Sequence, residues 1–172
     1  MSAFFRLCLV LLWSATAALA DPAAPQSAQG IRFVEIGIYC RPESEGTEPA
    51  PETSLGYINL LATLPEFIHR QQRIPAALGI SFGVVVQADH DILQARIETW
   101  KPGRDRPEIW YTDLYADTPR MRGFAFDFPE ELILGTWRME AWDGDTRLYS
   151  VEFEVQPAST LPGISSDCNL MS

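Results

Sequence analysis

The sequence predicts an all-β protein, an antiparallel, immunoglobulin-like β-sandwich of about seven to nine strands. Three observations carry that expectation. Apolar and polar residues alternate with a period of two in several separate stretches, which places one face of each in a core. Gly, Pro and Asp interrupt those stretches at short intervals. No long helical pattern and no strand–helix–strand alternation runs between them.

The chain opens on a stretch read as a secretory signal peptide. Arg6 supplies a positive charge, Leu7 to Trp13 an apolar run too short for a membrane span, and Ala18-Leu19-Ala20 a small-residue cleavage site before Asp21. Export with cleavage after Ala20 is expected, and with it a periplasmic or secreted location and no membrane span after cleavage. The expected organisation is a signal peptide at 1–20, a flexible Pro/Ala/Gln leader at 21–30, a sandwich domain at 31–157 and a C-terminal tail at 158–172.

Ile31 to Tyr39, rich in Ile, Val and Phe, reads as the first strand and ends at Cys40. Arg41 to Gly56 holds three prolines and several glutamates and reads as a solvated loop. In Tyr57 to Ile74 the apolar residues flank Pro65, which predicts two short strands around that proline rather than a helix. Ile80, Phe82, Val84, Val86 and Ala88 alternate with Ser81, Gly83, Val85 and Gln87, a strand with one face in the core. Asp89-His90-Asp91 then reads as a turn, and the alternation of Leu93, Ala95, Ile97 and Thr99 predicts a hairpin with the preceding strand. Ile109 to Tyr115 is a further strand, as are Phe124, Phe126 and Phe128 up to Pro129.

The last hairpin places Trp137, Met139 and Ala141 inward with Tyr149, Val151, Phe153 and Val155. A two-residue turn at Asp143-Gly144 would set these rows on opposite faces, because odd positions would then oppose even ones. A three-residue loop, Trp142-Asp143-Gly144, with Gly144 left-handed in a G1 bulge, repairs the parity and pairs Trp137 with Tyr149.

The stretches IPAALGISFGVVVQA (Ile74 to Ala88), GFAFDFPEEL (Gly123 to Leu132) and GTWRMEAWDGDTRLYSVEFEV (Gly135 to Val155) resemble an uncharacterised family of exported bacterial proteins, known as a domain of unknown function. The resemblance covers Ile31 to Pro157. It implies a compact β-sandwich and transfers no catalytic residue. The sequence holds no Cys…Trp…Cys arrangement of the antibody kind, so the immunoglobulin likeness is one of architecture.

Charge narrows the partners. The chain carries 13 Lys and Arg against 23 Asp and Glu, a formal net charge of −10. Such a surface repels nucleic acid and anionic lipid. Cys8 leaves with the signal peptide, and Cys40 and Cys168 remain. In an oxidising compartment they most simply join each other; two free thiols or an intermolecular bridge are the alternatives. The tail from Gln156 to Asp167, rich in Pro, Ser and Thr, predicts no helix or strand of its own, and a bridge would fasten it beside the first strand.

Catalytic and metal chemistry find no motif. Asp89-His90-Asp91 and Asp143-Gly144-Asp145 read as turns, since neither zinc nor calcium spacing is present. GISFG around Ser81 matches Gly-x-Ser-x-Gly but sits within a strand, where no nucleophile elbow forms. Glu130-Glu131 reads as a solvated loop pair. The expectation is no catalytic residue, no metal and no cofactor. Trp100, Trp110, Tyr111, Tyr115 and Trp142 are the candidate ligand-contact residues, on strand ends or outer faces beside Asp and Arg. The function expected from all this is an exported, non-catalytic module that binds an envelope protein or glycan. A carbohydrate-binding module built on those aromatics, and a glycan-acting enzyme with dispersed carboxylates, are the alternatives.

Overall fold

The computed structural model describes residues 21–169, so the signal peptide at 1–20 lies outside the described residues. In chain order the strands are β1 (Gln26–Ser27), β2 (Ile31–Cys40), β3 (Ser44–Pro49), β4 (Tyr57–Leu61), β5 (Phe67–His69), β6 (Arg73–Ala76), β7 (Ile80–Ala88), β8 (Ile92–Trp100), β9 (Glu108–Leu114), β10 (Arg120–Ala125), β11 (Gly135–Asp143) and β12 (Thr146–Pro157), followed by a short helix α1 (Ile164–Asn169). The expected all-β antiparallel sandwich is what the chain forms. A six-stranded sheet runs β1-β12-β11-β8-β9, with β6 beside β12; a four-stranded sheet runs β10-β7-β2-β5; β3 and β4 pair apart from both. Among these pairings only β6 with β12 is parallel. The strands beyond the expected seven to nine are the short β1, β3 and β6.

The core lies between the sheets. Phe82 of β7 meets Phe153 of β12 at 5.0 Å and Trp137 of β11 at 5.7 Å between ring centroids. All three side chains are fully buried. Burial of each large side chain contributes about 1.5–3 kcal/mol. The Trp137 indole N–H donates to Ile133 O at 2.8 Å, so the largest core ring leaves no donor unpaired. A second, smaller cluster, Tyr39, Phe67 and Val85 with Met121, covers the outer face of the four-stranded sheet.

Several sequence expectations need correction. β7 and β8 do not form a hairpin: β7 pairs with β2 and β10, β8 with β9 and β11. Asp89 to Asp91 carries the chain from one sheet to the other. Alternation reports which face is buried, and Ala88 and Ile92 are both buried here, but it does not report the partner strand.

In the last hairpin Trp137 opposes Phe153, not Tyr149, and Tyr149 opposes Ala141. The turn is the two residues Gly144-Asp145, since Asp143 pairs with Thr146. Parity is restored by a bulge in which Ala141 faces Tyr149 while Trp142 faces Arg147, making Leu148 the extra residue. Gly144 does take the left-handed conformation, with φ +53°.

Loop-like composition also concealed structure. Ser44–Pro49 pairs with Tyr57–Leu61 as a hairpin, and Gln26–Ser27 of the presumed flexible leader pairs with β12. The strand expected at Phe124 to Phe128 runs earlier, over Arg120–Ala125, because Phe128 caps a 3-10 turn at Pro129–Glu131.

The tail carries α1, contrary to the expectation of no helix. Cys168 is bridged to Cys40 at the end of β2, with Cα atoms 5.1 Å apart, as the tether expectation requires. Ile164 of α1 enters the main core, and His69 Nε2 lies 2.8 Å from Asp167 Oδ2.

Candidate functional site

β9 ends the six-stranded sheet and β10 ends the four-stranded sheet. No backbone ladder joins them among the described strands, so one side of the sandwich is open. Side chains bridge it instead. Arg120 opposes Val86 and Arg122 opposes Val84 across β10 and β7. Both valines are inward-facing core residues. Both arginines therefore point between the sheets.

The Arg122 guanidinium lies 4.9 Å from the ring centroid of Trp110, and its Nη2 donates to Thr112 Oγ1 at 3.1 Å. Nη1 donates to the Met121 carbonyl, and Nε has no hydrogen-bond partner among the described residues. Arg120 lies 5.5 Å from the Tyr115 ring, and its Nε likewise has none among them. Arg122 is only 7% exposed and forms no ion pair with a carboxylate among the described residues. Burial pulls its pKa down from 12.5 to about 10, and the neighbouring Arg120 charge acts in the same sense. A buried guanidinium without a counter-charge is costly. The rings of Trp110 and Tyr115 offset part of that cost.

Lys101 closes the far end of the row. Its Nζ lies 4.4 Å from Phe124 and 5.4 Å from Trp137, and it is paired with Glu108 at 2.6 Å.

The β3–β4 hairpin leans over this side. Ser54 N–H donates to Glu108 Oε1 at 3.1 Å, and Ile109 N–H donates to Glu52 O at 3.3 Å. These bonds hold the hairpin loop against the start of β9. Between hairpin and sandwich lies a cleft of roughly 770 Å³. Tyr57, Leu60 and Leu64, each partly exposed, form its apolar rim. Tyr39 crosses its floor. The Tyr39 hydroxyl sits where a Cβ at residue 123 would stand, so the position requires Gly123. Burial raises the Tyr39 pKa, and Asp127 adds to the effect.

The five aromatics singled out from the sequence divide between two places. Trp110 and Tyr115 belong to the open side, as ring faces for Arg122 and Arg120. Tyr115 also donates to Asp113 Oδ2 at 3.0 Å; that bond raises the phenol pKa, while Asp113 is lowered first by the Gln94 N–H and then by Tyr115.

Trp100 and Trp142 lie on the outer face of the six-stranded sheet. Trp100 opposes Arg138, Glu98 opposes Glu140, and Arg96 opposes Trp142. Arg138 covers Trp100 at 5.1 Å, and Arg96 and Arg147 cover Trp142 at 5.6 and 6.0 Å. Each guanidinium in this ladder meets a carboxylate: Arg96 with Glu98 at 2.8 Å, Arg138 and Arg147 with Glu140 at 3.1 and 3.4 Å. Tyr111 opposes Arg96 on the same face and is half exposed.

The remaining sequence candidates do not gather. His90 Nδ1 bonds Asp89 at 2.6 Å, while Asp91 accepts from Ala116 N–H at 2.7 Å. No three metal-ligating side chains converge among the described residues. Ser81 is fully buried in β7. Glu131 accepts from Asp127 and Phe128 N–H at 2.7 and 2.9 Å, which makes it a cap.

Arg120, Arg122, Lys101 and Tyr39 were missed by sequence reasoning. The signal for two of them is present: Arg120 and Arg122 share the parity of Phe124 and Phe126, which marks them as inward.

The family model described as a domain of unknown function, DUF3859, matches residues 27–155. The chain belongs to that family. A solved structure described as an immunoglobulin-like protein from Pseudomonas aeruginosa is similar to it, with 18% identity over 78% of this chain and 98% of the other, at a TM-score of 0.47. Comparison with curated proteins gave no match.

Proposed function

We propose that this member of the DUF3859 family is an exported, non-catalytic binding module whose ligand seat is the cleft between the β3–β4 hairpin and the open side of the sandwich. One observation carries the reading: Arg122 lines that cleft, nearly buried, and forms no ion pair with a carboxylate among the described residues. Such an arrangement costs stability unless something supplies the missing charge. Convergent polar groups in an apolar-rimmed cleft are the usual form of a ligand seat. The disulfide supports an oxidising compartment, and no described helix is long and apolar enough to cross a membrane.

Two measurements test the proposal. Mass spectrometry of the protein recovered from an envelope or culture fraction should find Asp21 at the N-terminus; intact Met1 would overturn export. A photo-crosslinking residue at Tyr57, on the cleft rim, should give a defined adduct in native envelope extract, while the same residue at Leu93, exposed elsewhere, should not. Equal labelling at both positions, or none at Tyr57, would overturn the assignment of the seat.

A further inference from the structure

We infer that the cleft takes an extended peptide, added as a strand to the free edge of β10, whose acidic and apolar residues alternate; this deepens the reading of the cleft as a ligand seat and rests on it. The edge comes first. Phe126 N–H donates to Ile80 O at 2.9 Å, so even-numbered residues of this segment direct their amides toward β7. The amides and carbonyls of Met121, Gly123 and Ala125 then point away from β7. No strand among the described residues pairs with them, and the Met121 carbonyl accepts from Arg122 Nη1, a bond that an incoming strand amide would replace. A row of such groups at alternate positions is the template on which an extended peptide docks through its main chain.

The side chains of β10 specify what that peptide carries. Residues of an added strand face the same way as their cross-strand neighbours. On the inner side those neighbours are Arg120 and Arg122, two residues apart, hence about 6.6–6.8 Å along the strand. Carboxylates two residues apart on a peptide have the same spacing. A guanidinium has five N–H donors in a planar fork, and the two bonds that Arg122 makes leave donors for a carboxylate. The nearby acids are engaged elsewhere: Glu108 by Lys101, Asp127 by Arg41 at 3.3 Å, Glu131 by backbone N–H groups, and Asp113, whose charge interacts with Arg120, by Gln94 N–H and the Tyr115 hydroxyl. On the outer side the neighbours are Met121 and Tyr39, with Leu60 on the rim, so the intervening peptide residues are apolar. This inverts the usual strand pattern, with charge toward the sandwich and apolar groups toward the hairpin.

The same arginines exclude a second copy. Edge-to-edge pairing of β10 with itself would set Arg120 and Arg122 against their own counterparts. A strand bearing lysines meets the same repulsion. The charges thus keep the edge unpaired until an acidic strand arrives.

The test uses the mature chain and acetylated, amidated hexapeptides. One alternates valine and glutamate, one alternates valine and lysine, and one has the glutamates grouped together. Amide chemical shifts are followed by NMR. The alternating glutamate peptide should bind, shift the amides of Met121, Gly123 and Ala125, and slow their hydrogen exchange. Arg122→Gln should weaken it about tenfold or more, as expected for loss of a charged hydrogen bond. Arg120→Gln, farther along the strand, provides a second variant should Arg122→Gln fold poorly.

Equal binding of the lysine peptide, equal binding of the grouped peptide, or an unchanged affinity in both variants would overturn the inference. Free glutarate shifting the cleft residues while no peptide touches the β10 amides would leave the ligand seat standing and remove the strand. Dimerisation through β10 would remove it as well. Failure of every probe, with adducts still formed at Tyr57, would refute the acidic strand alone.

Discussion

The outer face of the six-stranded sheet and the open side between β9 and β10 are built from the same residue types and differ in one respect. On the outer face Arg96, Arg138 and Arg147 lie over Trp100 and Trp142, and each guanidinium also meets Glu98 or Glu140. On the open side Arg120 and Arg122 lie over Tyr115 and Trp110, and neither forms an ion pair with a carboxylate among the described residues, although the Asp113 charge interacts with Arg120. The chain has 23 acidic residues against 13 basic ones, so a lack of carboxylates in the sequence does not explain the difference. A closed network satisfies its charges internally and presents a finished surface. An open one keeps a charge in reserve for a partner, at a cost in stability.

The largest expected effect sets the scale for both regions. Phe153→Ala, between the sheets, should lose about 3–5 kcal/mol in urea unfolding. Glu152→Ala next to it should stay within about 0.5 kcal/mol. Similar losses at both would contradict the register of β12, on which both regions depend.

Next comes the tail. Cys168→Ser opens a loop with a sequence separation of 128 residues and should cost about 2 kcal/mol, below the full chain-entropy figure. The loss should leave the amide spectrum of the sandwich intact. Collapse of that spectrum would show that the tail holds the sheets together.

A smaller loss separates the two regions directly. Glu140 is 3% exposed and serves two arginines. Glu140→Ala should cost about 1–2 kcal/mol, limited because both arginines remain partly in water. No loss would mean that the ladder is as open as the β9–β10 side.

Alkaline pH gives a fourth comparison. Burial raises the Tyr149 pKa from 10 to about 12, so the unfolded chain releases this proton first and stability falls as pH rises above about 10. Arg122 acts oppositely. Its folded pKa is about 10 against 12.5 unfolded, so the unfolded chain holds the proton longer and stability rises over the same window. The Arg122 charge also favours the Tyr149 phenolate. Arg122→Met removes both effects, so urea midpoints should fall more steeply between about pH 9 and 11 than in the unaltered protein. An equal or shallower fall would contradict the assigned burial of Arg122.

The fold was largely legible in the sequence because period-two alternation reports burial. The inward rows of β7, β11 and β12 all fall where alternation puts them. Partner choice was less legible. The arch at Asp89 to Asp91 and the bulge at Leu148 depend on which strand lies alongside, and a one-dimensional pattern does not encode that. Strand β3 was concealed because Ser44–Pro49 is mostly exposed and has no apolar row, whereas its partner β4 falls in the stretch where short strands were expected around Pro65.

Of the site, Trp110 and Tyr115 were found by residue type, but their arginine partners were not. Charge at an inward position runs against the expectation that cores are apolar. That conflict between parity and polarity at Arg120 and Arg122 is itself the signal.

The claim that Arg122 serves a partner rather than the fold is tested most directly by the urea-unfolding free energy of Arg122→Met at neutral pH. Methionine fills the site without a charge to bury. The expected variant is as stable as the unaltered protein, or more stable by up to about 1 kcal/mol. A loss of more than about 2 kcal/mol would contradict it, and would place Arg122 among the groups that hold the sandwich together.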